Sequence, residues 1–159
     1  MSDVTFGPLD FEYELDHIAI AVNSLEEGAK FYQTIGFGEM HTEEVASQKV
    51  LTGFLALGNR ANIELLEPTS PDSTIRKFLD KRGPGIHHIC LRVKGIDALV
   101  ASLISKGIQM IDTTPKLGAH QCRVAFIHPK STGGVLIELS EKAASEAGTP
   151  DSRTDVAHG

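Results

Sequence analysis

Two octapeptides decide the fold: LDHIAIAV, residues 15–22, and IHHICLRV, residues 86–93. Each sets a histidine at the mouth of a short apolar run, the pattern of a buried strand. Nineteen positions separate His17 from Gly36, and the same interval separates His88 from Gly107. Both intervening stretches read as helices. In the second, Ile96, Leu99, Val100, Leu103 and Ile104 form the stripe of a helix packed on one side. In the first, Ser24 and Glu27 have the spacing of a capping box. Gly36 and Gly107 stand where a left-handed cap stops a helix.

Three strand-like runs follow in each half, near 39–46, 49–57 and 61–67, and near 109–114, 121–128 and 134–140. The halves also end alike, NIELLEP (62–68) against VLIELSE (135–141), each with a glutamate inside an apolar strand. The chain therefore reads βαβββ twice, an internal repeat that places it in the α+β class as paired βαβββ modules. The modules span about 15–67 and 85–140, joined by a linker helix over 70–83, SPDSTIRKFLDKRG. Residues 1–14 read as an N-terminal arm. Residues 141–159, small and polar, read as a disordered tail that cannot recover its ordering entropy.

Composition bounds the function. At 159 residues the chain suits one domain with a real core. A formal charge of -6 argues against nucleic acid, whose phosphates need a clustered positive surface. No apolar run is long enough to span a bilayer, and no basic-then-apolar leader opens the sequence. The two cysteines, Cys90 and Cys122, are too few for a disulfide framework or a thiolate cage. A cytoplasmic location is the expectation.

Each repeat contributes one histidine on its first strand and one glutamate on its last. Strand parity sends Ile18, Ile20 and Val22 to one face and His17, Ala19 and Ala21 to the other. His88 and Cys90 share the corresponding face of the second half. Any one of these polar residues alone reads as structural. His17, Glu64, His88 and Glu138 at equivalent repeat positions are four costly placements with one shared cause. Two sheets meeting about a pseudo-twofold axis bring them into one cleft. Imidazole and carboxylate donors without thiolate suit one divalent ion: Co, Mn, Ni, Fe or Zn. His87 has the opposite parity, with Asp16 at its place in the first half. It reads as structural or solvated, as do His41, His120, His128 and His158.

Through LDHIAIAV, IELLEP, GIHHICLRV, KLGAH and HPKSTGGVLIEL, residues 15–141 closely resemble the methylmalonyl-CoA epimerase family of the vicinal oxygen chelate superfamily. HPKSTGGVLIEL, 128–139, is the most specific piece. The resemblance implies His17, Glu64, His88 and Glu138 as metal ligands, an acyl-CoA substrate, and interconversion of the C2 epimers of methylmalonyl-CoA. It implies Glu138 as catalytic base and, by analogy, a homodimer. Some members carry glutamine in place of Glu64. Some set an opposing catalytic glutamate where Thr52 stands here, which leaves the second acid–base role to Glu64, ahead of Glu43 or Glu44. Lys116, Lys130 and Ser131 flank the cleft-facing strands as candidate substrate contacts. The alternatives are a glyoxalase I-type lactoylglutathione lyase, with a matching His-Glu-His-Glu set, and a non-catalytic ligand-binding member of the fold. A ring-cleaving dioxygenase would leave the fourth ligand unexplained.

Overall fold

The alternation in LDHIAIAV produces strand β1, Glu14–Ala21. The structure, a computed structural model, describes residues 11–143. After β1 come helix α1 (Leu25–Thr34), then β2 (His41–Val45), β3 (Val50–Ala56) and β4 (Asn62–Pro68). Helix α2 (Thr74–Arg82) leads to β5 (Gly85–Arg92), α3 (Ile96–Ser105), β6 (Lys116–Leu117), β7 (Cys122–Ile127) and β8 (Ile137–Lys142). One eight-stranded sheet holds them in the order β2-β3-β4-β1-β5-β8-β7-β6, curled into a half-barrel.

Topology repeats with the sequence. β1 runs parallel to β4, and β5 runs parallel to β8. The antiparallel pairing of β1 with β5 is the seam between the modules. That pairing slips twice. Between Leu15 and His17 the partner advances by only one residue, and between Ala19 and Ile20 it advances by two. Asp16 and His87 are therefore the extra residues of two β-bulges, one on each strand.

The convex face packs on α1 and α3. Val22, Leu25, Ala29, Leu55 and Leu65 form one core beneath α1, and Val93, Ile96, Leu99, Val100, Met110, Ala125, Ile127 and Leu139 form another beneath α3. Leu55, Leu65, Leu99 and Leu139 are at most 1% exposed. Burial of each such side chain stabilises the fold by about 1.5–3 kcal/mol. On the concave face, Ile75 and Leu79 of α2 pack on Ala19, Ala21, Val45, Val50 and Leu66. The small alanines of β1 make room for that helix.

Helix starts are set by side chains. The Ser24 hydroxyl accepts the Glu27 N–H at 3.2 Å. Each module also uses a second glutamate, three residues beyond the one noted in its last strand. Glu67 accepts the Leu25 N–H at 2.7 Å, and Glu141 accepts those of Gly95 and Ile96 at 2.7 and 2.9 Å. Both carboxylates meet the positive end of a helix. Gly36 and Gly107 take φ of 94° and 83°, the left-handed geometry that ends α1 and α3.

Several expected boundaries move. Glu141 and Lys142 belong to β8 and not to a tail, because Glu141 is tied to the start of α3. Residues 1–10 of the expected arm and 144–159 of the expected tail lie outside the described residues. The linking helix starts at Thr74, not at 70, with the Ser73 hydroxyl accepting the Ile75 N–H at 3.2 Å. The strand expected near 109–114 is reduced to a single bridge, Met110 with Ile127. There the Asp112 carboxylate accepts the Phe126 N–H at 2.9 Å in place of a backbone carbonyl. Pro115, lacking an N–H, closes the segment. No helix among the described residues is long and apolar enough to cross a membrane.

Candidate functional site

Four adjacent strands of the concave face each present one chemically active side chain. Across β4, β1, β5 and β8 these are Glu64, His17, His88 and Glu138. Glu64 Oε2 lies 2.9 Å from His17 Nε2, which lies 3.2 Å from His88 Nε2, which lies 2.9 Å from Glu138 Oε2. All four are buried, at 4–8% exposure. The row crosses the seam, so neither module contains it alone. Phe54 pairs with Glu64 and Phe126 with Glu138 across the neighbouring strands, and the Phe126 ring stands edge-on to His88 at 5.5 Å.

The outer nitrogens are engaged as well. Asp16 Oδ1 lies 2.7 Å from His17 Nδ1, and His87 Nδ1 lies 2.9 Å from His88 Nδ1. Arg92 holds the other Asp16 oxygen through Nε at 3.0 Å, while its Nη1 reaches Glu14 at 3.1 Å. Burial disfavours a charged His17, but Asp16, Cys90 and Glu64 outweigh it and raise its pKa far above the ordinary histidine value. His87 goes the other way. Burial first, then the neighbouring His88, lower it to about 4 despite Glu138. The Cys90 thiol is pushed up to about 12, chiefly by burial, so it stays protonated.

The donor chemistry fits a divalent cation. Two imidazole nitrogens and two carboxylates supply no more than two negative charges, in a setting too dry to solvate them separately. Ligand atoms of His17, His88 and Glu138 all lie within 4.8 Å of one another, and Glu64 joins the group through His17.

A cavity of about 430 Å³ opens above the row. Its walls are largely apolar, with Val45, Val50, Leu66, Ile75, Phe54 and Phe126 among them. Thr52 lines it too, fully buried, with its hydroxyl donating to the Glu43 carbonyl at 2.8 Å. Glu43 itself turns to the loop of the second module, where its carboxylate accepts the His120 N–H at 3.1 Å and meets His120 Nδ1 at 3.2 Å. Glu44 is exposed. Neither lines the cavity.

Lys116 lines the cavity, with its ammonium 3.0 Å from Asp112 and above the Phe126 ring. Lys130 and Ser131 do not. They lie on a 3-10 turn where the Lys130 N–H donates to His128 and the Ser131 hydroxyl accepts the Gln109 N–H. That turn braces the 109 segment and leaves its side chains away from the concave face. Two histidines read as structural or solvated, His87 and His120, are instead part of the cavity wall. His87 comes round because its bulge breaks the parity on which it was assigned away from the cleft. His120 comes in on a loop whose backbone is left-handed there, at φ 53°, and its ring lies tilted against Phe54 with centroids 4.1 Å apart.

The profile of the Glyoxalase/Bleomycin resistance protein/Dioxygenase superfamily matches residues 16–126. The mitochondrial methylmalonyl-CoA epimerase of Dictyostelium discoideum is 45% identical over 132 residues, 81% of this chain and 78% of that one. The crystal structure of methylmalonyl-CoA epimerase from Mycobacterium tuberculosis superposes with a TM-score of 0.77 at 42% identity, over 81% of this chain and 87% of that one. A Streptomyces coelicolor methylmalonyl-CoA epimerase variant, solved in complex with 2-nitronate-propionyl-CoA, superposes with a TM-score of 0.78 at 38% identity, over 85% and 98% of the two chains. At these identities and coverages, the chain belongs to the Glyoxalase/Bleomycin resistance protein/Dioxygenase superfamily and, within it, to the methylmalonyl-CoA epimerase family.

Proposed function

We propose that the protein interconverts the two C2 epimers of methylmalonyl-CoA by removing the C2 proton on one face and returning a proton on the other. The observation that carries this reading is the row itself: a carboxylate at each end of a histidine pair, beneath a cavity of about 430 Å³. The activity of the relatives supports it, since the epimerases named above match most of the chain.

His17, His88, Glu138 and Glu64 would hold one divalent ion, a donor set that suits Co, Mn, Ni, Fe or Zn. When bound there, such an ion supplies Lewis-acid stabilisation of the oxyanion that develops at the thioester carbonyl. The chain's own residues do the rest. Glu138 takes the C2 proton as the C–H pair moves into the enolate. Glu64, as the carboxylic acid, delivers a proton to the opposite face, and the roles reverse in the other direction. Glu64 is favoured over Glu43 and Glu44 because it stands at the far end of the row. Glu43 is occupied by His120 and Glu44 is exposed. The apolar walls keep bulk water from quenching the enolate without regard to face. Lys116, at the wall, is the basic group we assign to an anionic portion of the substrate.

The homodimer and the cytoplasmic location are further parts of the reading. The two cysteines are free, as in a reducing compartment. Light scattering that returns the mass of a single chain would remove the dimer.

The test is proton exchange. Metal-loaded protein incubated with methylmalonyl-CoA in deuterated water should place deuterium at C2. Substrate that binds and emerges without deuterium would sink the epimerase reading.

A further inference from the structure

The seam between β1 and β5 is interrupted twice, and each interruption falls one residue before a histidine of the row. Leu15 pairs with Leu91 and His17 with Cys90, which leaves Asp16 over; Ala19 pairs with His88 and Ile20 with Ile86, which leaves His87 over. In a regular strand the residue before each histidine would face away from it. A bulge re-aims that side chain. Asp16 thereby comes within 2.7 Å of His17 Nδ1, and His87 within 2.9 Å of His88 Nδ1. With the outer nitrogens so engaged, the inner nitrogens face each other at 3.2 Å.

We propose that Asp16 and His87 are matched positioning residues, each holding its neighbouring imidazole as the Nδ1–H tautomer so that Nε2 keeps its lone pair for the centre. This rests on the reading of the row as a metal site. His17 Nδ1–H donates to the Asp16 carboxylate. His88 Nδ1–H donates to Nδ1 of His87, which then carries its own proton on Nε2. Both positioning residues are themselves held, Asp16 by the Arg92 guanidinium at 3.0 Å and His87 by the edge of the Phe78 ring, with centroids 5.0 Å apart. The two halves are not equivalent. An anionic partner makes His17 the stronger donor, and a neutral one leaves His88 the weaker.

The experiment uses the full chain, Zn²⁺ as the probe, and the variants Asp16→Ala, Asp16→Asn, His87→Ala and His87→Gln. Zinc affinity is measured by competition with a chelator. Nitrogen-edited NMR of the zinc-loaded protein, labelled at histidine, reports which ring nitrogen carries the proton. Affinity should fall by ~10–100-fold in Asp16→Ala and by less in His87→Ala. Asp16→Asn and His87→Gln should recover much of the loss, because asparagine keeps an oxygen that accepts the Nδ1–H and glutamine supplies one in place of the His87 nitrogen. The wild-type spectrum should show a protected Nδ1–H on both His17 and His88, each lost in its own alanine variant. Folded alanine variants that bind zinc as the wild type does would overturn the proposal and leave the metal site standing; a proton found on Nε2 of either ring would overturn the proposal and remove that nitrogen as a ligand. Wild-type protein that takes up no zinc would overturn both. If an alanine variant does not fold, the wild-type spectrum decides alone.

Discussion

Glu64 and Glu138 occupy equivalent places in the two modules, yet their surroundings differ in ways that variants can read. Glu138 stands beside a histidine whose outer partner is neutral, and Glu64 beside one whose outer partner is an anion. Replacing Glu138 with glutamine keeps the shape and removes the proton acceptor. Exchange at C2 should fall by about 10²–10⁴-fold, measured by mass spectrometry of the recovered thioester. Full exchange in that variant would remove Glu138 as the base. Glu64→Gln should leave metal uptake in place while slowing turnover, since the amide keeps an oxygen donor but cannot carry the proton. Unchanged turnover would move the second proton carrier elsewhere in the cavity. The four residues of the row were legible in the sequence because buried charge on apolar strands is expensive and was repeated. Asp16 and His87 were not, even though they stand at equivalent positions, because counting faces along a strand assumes an unbroken ladder.

At the scale of elements, the second glutamate of each terminal strand is what joins sheet to helix. Glu67 and Glu141 accept hydrogen bonds from the first turns of α1 and α3. Replacing either with alanine removes a capping acceptor and should cost about 1 kcal/mol of stability, visible as a lower urea midpoint with an unchanged slope. Epimerase activity below the transition should persist, as neither residue lines the cavity. An unchanged midpoint would show that water replaces the carboxylate without loss. The helices were legible from their apolar stripes and stop glycines. The expected strand near 109–114 was apolar enough but never formed a ladder, since Asp112 supplied a side-chain acceptor to Phe126. Periodicity measures burial and cannot distinguish a hydrogen bond to backbone from one to a carboxylate.

For the whole molecule, two modules share one row of donors across their seam, so an ion bound there would link the stability of both halves. Treatment with a strong chelator should abolish activity and lower the melting temperature, and added Co or Mn should restore both. A ligand at a hundred times its dissociation constant adds about 2.7 kcal/mol to the folded state. A melting temperature indifferent to chelator and metal would mean that the row is held by its own hydrogen bonds. The paired bulges also restrict how this chain can change in length. Glu14 pairs with Arg92 above them and Ala21 with Gly85 below them in the same phase, because the residue gained on one strand is matched by one gained on the other. Deleting Asp16 alone would put the ends of β1 out of step and turn one of them inside out. Deleting His87 alone would do the same to β5. Removing both should restore the phase and give a protein that folds with its histidines unsupported. At this seam, a deletion is tolerated only with its counterpart seventy-one residues away.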